Sequence, residues 1–189
     1  MERKSVKTIY IAGVPASGKT TIFRKLREAL FDGATEFMYG KVRGIERGAY
    51  QMLGVFDGST FEGTDRLSMT VIDDAIAYIQ ALEAESKERK VIFVEGDRLF
   101  NYRFLQAVRA SVILIDASPE VLMIRHAQRG DTQTEVFLRG RRSKVENFAK
   151  RYNIGRVYNN TSEDAERITQ YLIKTAKEWT AENTKQNKE

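Results

Sequence analysis

An α/β fold, with a mainly parallel, five-stranded sheet covered by helices on both faces, is what this sequence predicts. Three observations predict it. Short apolar runs rich in β-branched residues alternate along the chain with longer stretches of helical spacing. The first run leads at once into a glycine-rich segment, GVPASGKTT (residues 13–21), and then into an amphipathic helical pattern. The inner runs, such as Val91–Val94, are apolar at every position, as strands buried on both faces are. Alternation of this kind makes parallel neighbours, because each crossover carries a helix that covers the sheet.

The elements follow in order. Val6–Ala12 is an apolar run stopped by Gly13, a buried strand. Lys19–Leu30 is a helix with Ile22, Phe23, Leu26 and Leu30 on its inner face. Phe37–Val42 reads as a strand, as does Tyr50–Phe56, after which Asp57-Gly58 signals a hairpin turn. Leu67–Ala84 has apolar residues at helical spacing, and Leu99–Val108 is a further helix after the Val91–Val94 strand. Val112–Ile115 is a strand, and Ser118-Pro119-Glu120 then supplies an N-cap with proline at the first helical position. That helix is expected to reach about Arg129. A basic helical stretch covers Thr134–Arg151, and Arg156–Tyr158 is a last short strand. Thr161–Trp179 closes the chain, with Asp164 three residues after its Thr161 cap. Residues 1–180 are expected to form one domain, with a lid at about 129–145 and a polar tail, AENTKQNKE (181–189), that frays.

Composition narrows the function. The chain has 189 residues and no cysteine, which excludes a disulfide frame and thiolate metal sites. No apolar run approaches the roughly 18 residues of a membrane span, and MERKSVK lacks a signal peptide's apolar core. A soluble, intracellular protein with no membrane partner is expected; oligomeric state is not legible. The formal net charge is +5, and residues 125–151 hold eight Lys/Arg against Asp131, Glu135 and Glu146. That excess suits a triphosphate or a nucleic acid, or is a solvated helix face.

Residues 13–20 fit G-x-x-x-x-G-K-[ST] in full, between an apolar strand and an amphipathic helix. This is a P-loop. Its glycines let the backbone approach phosphates, and successive N–H groups and the helix N-terminus favour anions. Gly13, Pro15, Ala16, Ser17, Gly18, Lys19, Thr20 and Thr21 are therefore expected to bind ATP. Lys19 is expected to reach the β- and γ-phosphates, and Thr20 to offer its hydroxyl to Mg²⁺. The fold is accordingly the three-layer P-loop NTPase fold, with ligands at the carboxyl ends of the strands.

VIFVEGDR puts Glu95 at the end of a strand, where an acid can reach a metal-bound water or activate a hydroxyl. Asp97 and Arg98 follow, an arrangement that resembles the strand-then-Asp-Arg of thymidylate and deoxynucleoside kinases, in which the acid and the arginine face the phosphate acceptor. Asp57, Asp65 and Arg66 lie in GVFDGSTFEGTDRLSM (54–69), a loop that serves as an acceptor site or only as a hairpin with a helix cap. Glu95 or Asp65 is the candidate general base, and Thr20 with Glu95 the candidate metal site. The segment IRHAQRGDTQTEVFLRGRRSK resembles the lid of nucleoside monophosphate kinase-like P-loop enzymes. Arginines over a migrating phosphoryl group stabilise its charge and exclude water. Arg125 and Arg129 lie four apart on one face, with Gly130 as a hinge. Arg139, Arg141, Arg142 and Lys144 form a second cluster, of which Arg141 and Arg142 are assigned to DNA. His126 is expected on a helix surface. Asn159 and Asn160 are read as surface polar residues or as neighbours of the adenine.

Together, FEGTDRLSM, VEGDR, RGRRSKVENF and the P-loop resemble the phage-encoded 5-hydroxymethyluracil DNA kinases, P-loop kinases related to deoxynucleoside monophosphate kinases. The likeness runs over most of residues 6–175 and is weakest at 31–49. It implies transfer of the ATP γ-phosphate, with Mg²⁺, to the hydroxymethyl group of 5-hydroxymethyluracil in DNA, a step in base hypermodification in the cytoplasm of an infected bacterial host. A base stacked in a duplex is hard to reach, so extrusion is expected. A deoxynucleoside monophosphate kinase is the alternative. A nucleotide-dependent, nucleic-acid-binding ATPase is a third, which the arginine cluster disfavours.

Overall fold

The computed structural model describes residues 5–59, 62–128 and 134–186, with 182–186 described by their backbone alone. Its strands are β1 (Val6–Gly13), β2 (Thr35–Tyr39), β3 (Val42–Arg47), β4 (Tyr50–Leu53), β5 (Lys90–Glu95), β6 (Ser111–Asp116) and β7 (Arg156–Tyr158). Its helices are α1 (Lys19–Leu30), α2 (Ile72–Glu85), α3 (Tyr102–Ala107), α4 (Pro119–Gln128), α5 (Glu135–Tyr152) and α6 (Ser162–Gln186), with a 3-10 turn at Thr64–Arg66. They form one sheet in the order β2-β3-β4-β5-β1-β6-β7.

The α/β fold is as expected, but the sheet has seven strands rather than five. β4, β5, β1, β6 and β7 run parallel. β2 and β3 add an antiparallel edge. The segment read as one strand, Phe37–Val42, turns back at Gly40, so that Tyr39 pairs with Val42. Three charges and a glycine in VRGIER hide the β3 period from the sequence.

Period-two alternation in the central strands divides the core. Val6, Tyr10 and Ala12 of β1 and Ile92 and Val94 of β5 pack with α2, α3, α4 and α5. Ile9, Ile11, Val91 and Phe93 pack with α1 and α6. Each large apolar side chain so buried contributes about 1.5–3 kcal/mol. This sandwich holds the strand ends rigid, and the site is built on them.

Local chemistry explains most element ends. Asn101 caps α3 by accepting from the Phe104 N–H at 2.8 Å. Thr134 does the same for α5 toward Phe137. Thr161 and Asp164 form the expected reciprocal cap of α6. That helix runs on to Gln186, past Trp179 and into the stretch expected to fray. The second helix starts at Ile72 rather than Leu67, because the 3-10 turn and its exit occupy the preceding residues. Among the described residues no helix is long and apolar enough to cross a membrane.

Candidate active site

β1 is flanked by β5 on one side and β6 on the other. The chain builds the β2–β5 side first and the β6–β7 side afterwards, so a crevice opens at the carboxyl end of β1. Residues 13–21 occupy it. Ala16 is in the left-handed region at φ 62° and Gly18 at φ 91°. A side chain at residue 18 would overlap the Asn159 amide. Asn159 is buried and donates from Nδ2 to the Ser17 carbonyl at 2.8 Å. Its Oδ1, like the Ser17 hydroxyl, is buried without a partner. The Lys19 ammonium curls back to the carbonyls of Gly13 (3.0 Å) and Val14 (2.9 Å). Pro15 and Thr21 complete the loop. Arg125 lies against its outer side, donating to the carbonyls of Asn159 (2.9 Å) and Ala16 (3.4 Å).

β5 ends beside this loop, and Glu95 at its tip is buried. Thr20 donates to Glu95 Oε1 at 3.2 Å. Burial pushes the Glu95 carboxyl up to about 7; Lys19 opposes the shift, the charge of Asp65 adds to it, the Thr20 hydrogen bond opposes it, and Asp97 adds to it. The turn after Glu95 is held from three sides. Tyr10, fully buried, donates its hydroxyl to the Gly96 carbonyl at 2.7 Å. The Thr64 hydroxyl donates to the Glu95 carbonyl. Asp65 Oδ1 accepts the backbone N–H groups of both Asp97 and Arg98 at 2.9 Å. Gly96 is at φ 105°, and a side chain there would press on Thr64 and Asp65. Arg98 returns the contact, donating to the Asp65 carbonyl at 2.7 Å. Asp65 and Glu95, distant in sequence, are thus brought to one corner.

The basic segment divides. Arg141 faces inward and pairs with Asp97 at 3.1 Å. Lys144 lies over the Phe100 ring, and burial lowers its pKa although Asp97 opposes the shift. Arg142 and Arg139 instead line a cavity of about 440 Å³ with Val14 and Pro15 of the phosphate loop and Met123 and His126 of α4. Arg129 and Gly130 lie outside the described residues. Asp57 and Arg66 bond to each other at 2.6 and 2.7 Å, with Ser59 on the same guanidinium nitrogen. Arg66 thereby holds the Asp57 carboxyl well below the usual range. Both lie on an exposed rim next to Asp65. Beside that rim, Thr20, Phe23, Arg24, Arg27, Phe56 and Glu62 line a narrow cleft, in which Arg27 pairs with Glu62 and lies over the Phe56 ring.

Comparison with known proteins fits this architecture. A family model described as AAA domain matches residues 9–153. The chain belongs to the AAA domain family. The matched span of this AAA domain runs from β1 to the end of α5 and so takes in the phosphate loop, Asp65, Glu95 and the basic helix. No curated protein matches the chain. Among solved structures, deoxyadenosine kinase from M. mycoides, with the products dCMP and a flexible dCDP bound, is similar at 16% identity and a TM-score of 0.40, over 88% of this chain and 99% of that one. Likeness at that level assigns neither an acceptor nor a role to any residue here.

Asn159 lies beyond the matched span of the AAA domain. Of the two readings of it, the surface one fails: the residue is buried and forms the floor of the phosphate loop. An asparagine after a short strand carries no signal of that. Tyr10 and Thr64 are equally silent in the sequence, since each is recognisable only by the backbone carbonyl it meets.

Proposed function

We propose that the chain is an ATP-dependent phosphotransferase whose acceptor is the hydroxymethyl group of 5-hydroxymethyluracil in DNA. The observation that carries phosphoryl transfer is the buried Glu95 carboxylate within hydrogen-bond reach of the phosphate-loop hydroxyl of Thr20. The acceptor rests on the sequence resemblance of FEGTDRLSM, VEGDR and RGRRSKVENF.

The residues present fit the nucleotide and its metal. The buried, unpartnered oxygens of Ser17 and Asn159 lie at the phosphate loop. One hydroxyl and one carboxylate, with no cluster of three or more acids or histidines among the described residues, suit Mg²⁺, which retains waters and phosphate oxygens. Thr20 and Glu95 would hold it. Bound there, Mg²⁺ would neutralise charge developing on the phosphate oxygens. The chain's own groups do the rest. Backbone N–H groups of residues 13–20 bind the triphosphate, and Lys19 exchanges its carbonyl partners for phosphate. The value of about 7 for Glu95 belongs to the metal-free chain; with Mg²⁺ bound the carboxylate would be ionised, and in that form it is placed to take the acceptor's proton. Asp65 holds the Gly96–Arg98 turn rather than acting as the base, because Oδ1 already accepts two backbone N–H groups. Asp97, paired with Arg141, ties α5 to the acceptor corner.

A deoxynucleoside monophosphate kinase is the second reading. The segment beside Thr20 favours it: Arg24 and Arg27 are cations next to the phosphate loop, although Arg27 lies over the Phe56 ring and pairs with Glu62, so an acceptor nucleotide would have to displace that pair. The deciding experiment incubates the protein with labelled ATP and, side by side, hydroxymethyluracil DNA, thymine DNA and free deoxynucleoside monophosphates. Label only in hydroxymethyluracil DNA is expected; label in the monophosphates alone overturns the first reading in favour of the second.

A further inference from the structure

α5 has two cationic faces with different fates. Arg141 and Lys144 point into the fold, where Asp97 meets the first and Phe100 the second. Val145, Phe148 and Ala149 on the same side are buried. The opposite side carries the exposed Arg139, Arg142, Ser143, Asn147 and Lys150, with Arg151 on its flank, and one half-buried acid, Glu146, a turn from both Arg142 and Lys150. None of those four cations has a carboxylate partner among the described residues, although the protein pairs arginines elsewhere, at Asp57, Asp73, Asp116 and Asp164. Arg151 is held in place by lying 4.4 Å over the Tyr102 ring. From Arg139 to Arg151 the row is about 18 Å long at 1.5 Å per residue.

We infer that this outer face of α5 is a track for the phosphodiester backbone of duplex DNA. The inference rests on the proposed DNA substrate and moves its docking surface off Arg141, which is already paired. Charge complementarity decides the occupant. Measured along the duplex axis, each strand presents a phosphate every 3.4 Å or so, so a row lying along that axis spans about five base steps. At its N-terminal end, Arg142 lines the cavity beside the phosphate loop, and Arg141 next to it reaches Asp97. DNA on the track therefore passes the acceptor corner. An anionic membrane fits less well. A helix lying on a bilayer inserts an apolar face along its length; Val145, Phe148 and Ala149 of α5 are spent on the core, which leaves only Val136 and Phe137 of the first turn exposed.

The test uses residues outside the proposed chemistry. Binding of a thymine-only duplex is followed by fluorescence anisotropy from 50 to 300 mM salt for the wild type, Lys150→Ala and Ser143→Glu, with circular dichroism to confirm folding. Each phosphate contact contributes about 0.9 to the slope of log affinity against log salt. Lys150→Ala is expected to lower that slope by about 0.9, which is about eightfold weaker binding at 0.1 M if the lines converge at 1 M. Ser143→Glu, which removes no native contact, is expected to weaken DNA binding while both variants keep wild-type ATP affinity. Unchanged slopes, a wild type that binds no duplex, or tighter binding to phosphatidylserine vesicles or an acidic peptide than to DNA overturns the track. If the slopes behave as expected but no hydroxymethyluracil is phosphorylated, the proposed function falls and the track stands. If the DNA is phosphorylated and the variants bind like wild type, the track falls alone.

Discussion

Replacing Glu95 by glutamine tests the electrostatics of the acceptor corner without any substrate. In the folded protein burial raises this carboxyl to about 7, against 4.5 for an ordinary glutamate. Between those values the folded state keeps a proton that the unfolded chain has lost, so stability falls as pH rises through the interval and levels off above it. The full effect is the difference of about 2.5 pKa units at 1.36 kcal/mol each, or about 3 kcal/mol. Part of it is already lost at pH 5.5, which leaves about 2 kcal/mol to appear between pH 5.5 and 8.5. Glutamine is neutral throughout, and its carbonyl oxygen can still accept from Thr20. Urea unfolding of the nucleotide-free wild type and Glu95→Gln at pH 5.5, 7.0 and 8.5 isolates this group, because every other titration cancels in the difference. The variant is expected to gain on the wild type by about 2 kcal/mol across the range, equivalent to roughly 4–8 °C in melting temperature for a chain of this size. A difference that stays flat with pH, or that runs the other way, refutes a buried Glu95 titrating near neutrality.

Three further outcomes follow from the same geometry. Lys19→Ala is expected to abolish phosphoryl transfer at saturating ATP while costing no more than about 1–3 kcal/mol in urea unfolding, the worth of two half-exposed hydrogen bonds; retained turnover sinks the phosphate-loop assignment. Asp65→Asn keeps an oxygen for the Asp97 and Arg98 N–H groups and is expected to retain transfer within about tenfold, whereas Asp65→Ala frees the turn and loses far more; a drop of roughly 10²–10⁴ with asparagine, as for a lost general base, would make Asp65 the base after all. Asn159→Ala strands the Ser17 carbonyl in the interior and is expected to cost about 1–3 kcal/mol of stability and to weaken ATP binding, which calorimetry with ATP measures; unchanged ATP affinity would detach Asn159 from the phosphate loop.

What could be read from the sequence divides along a physical line. The phosphate loop binds through backbone N–H groups, and its shape depends on glycine spacing within eight consecutive residues, so a local pattern suffices. Glu95 was legible for a similar reason: an acid ending an apolar run lies at a strand tip, although Asp116 ends β6 in the same way on the other side of β1. Everything that surrounds Glu95 depends on contacts across the chain. Asp65 meets the 95–98 turn from more than thirty residues away, and Arg141 meets Asp97 from α5. Neither acid differs locally from a helix cap, which is why the sequence could not show that Asp65 clamps the 95–98 turn. The basic helix shows the same limit. Its charge was visible, but helical phase alone could not say which arginines the core would claim. That depended on where Asp97 lies, and Asp97 lies where the Asp65 clamp puts it. On the proposed reading, recognition of the acceptor is therefore the least local property of the molecule: it would require Asp65, the end of β5 and α5 to be in place together. Substitutions that loosen the Asp65 clamp should for this reason impair acceptor use before they impair ATP binding.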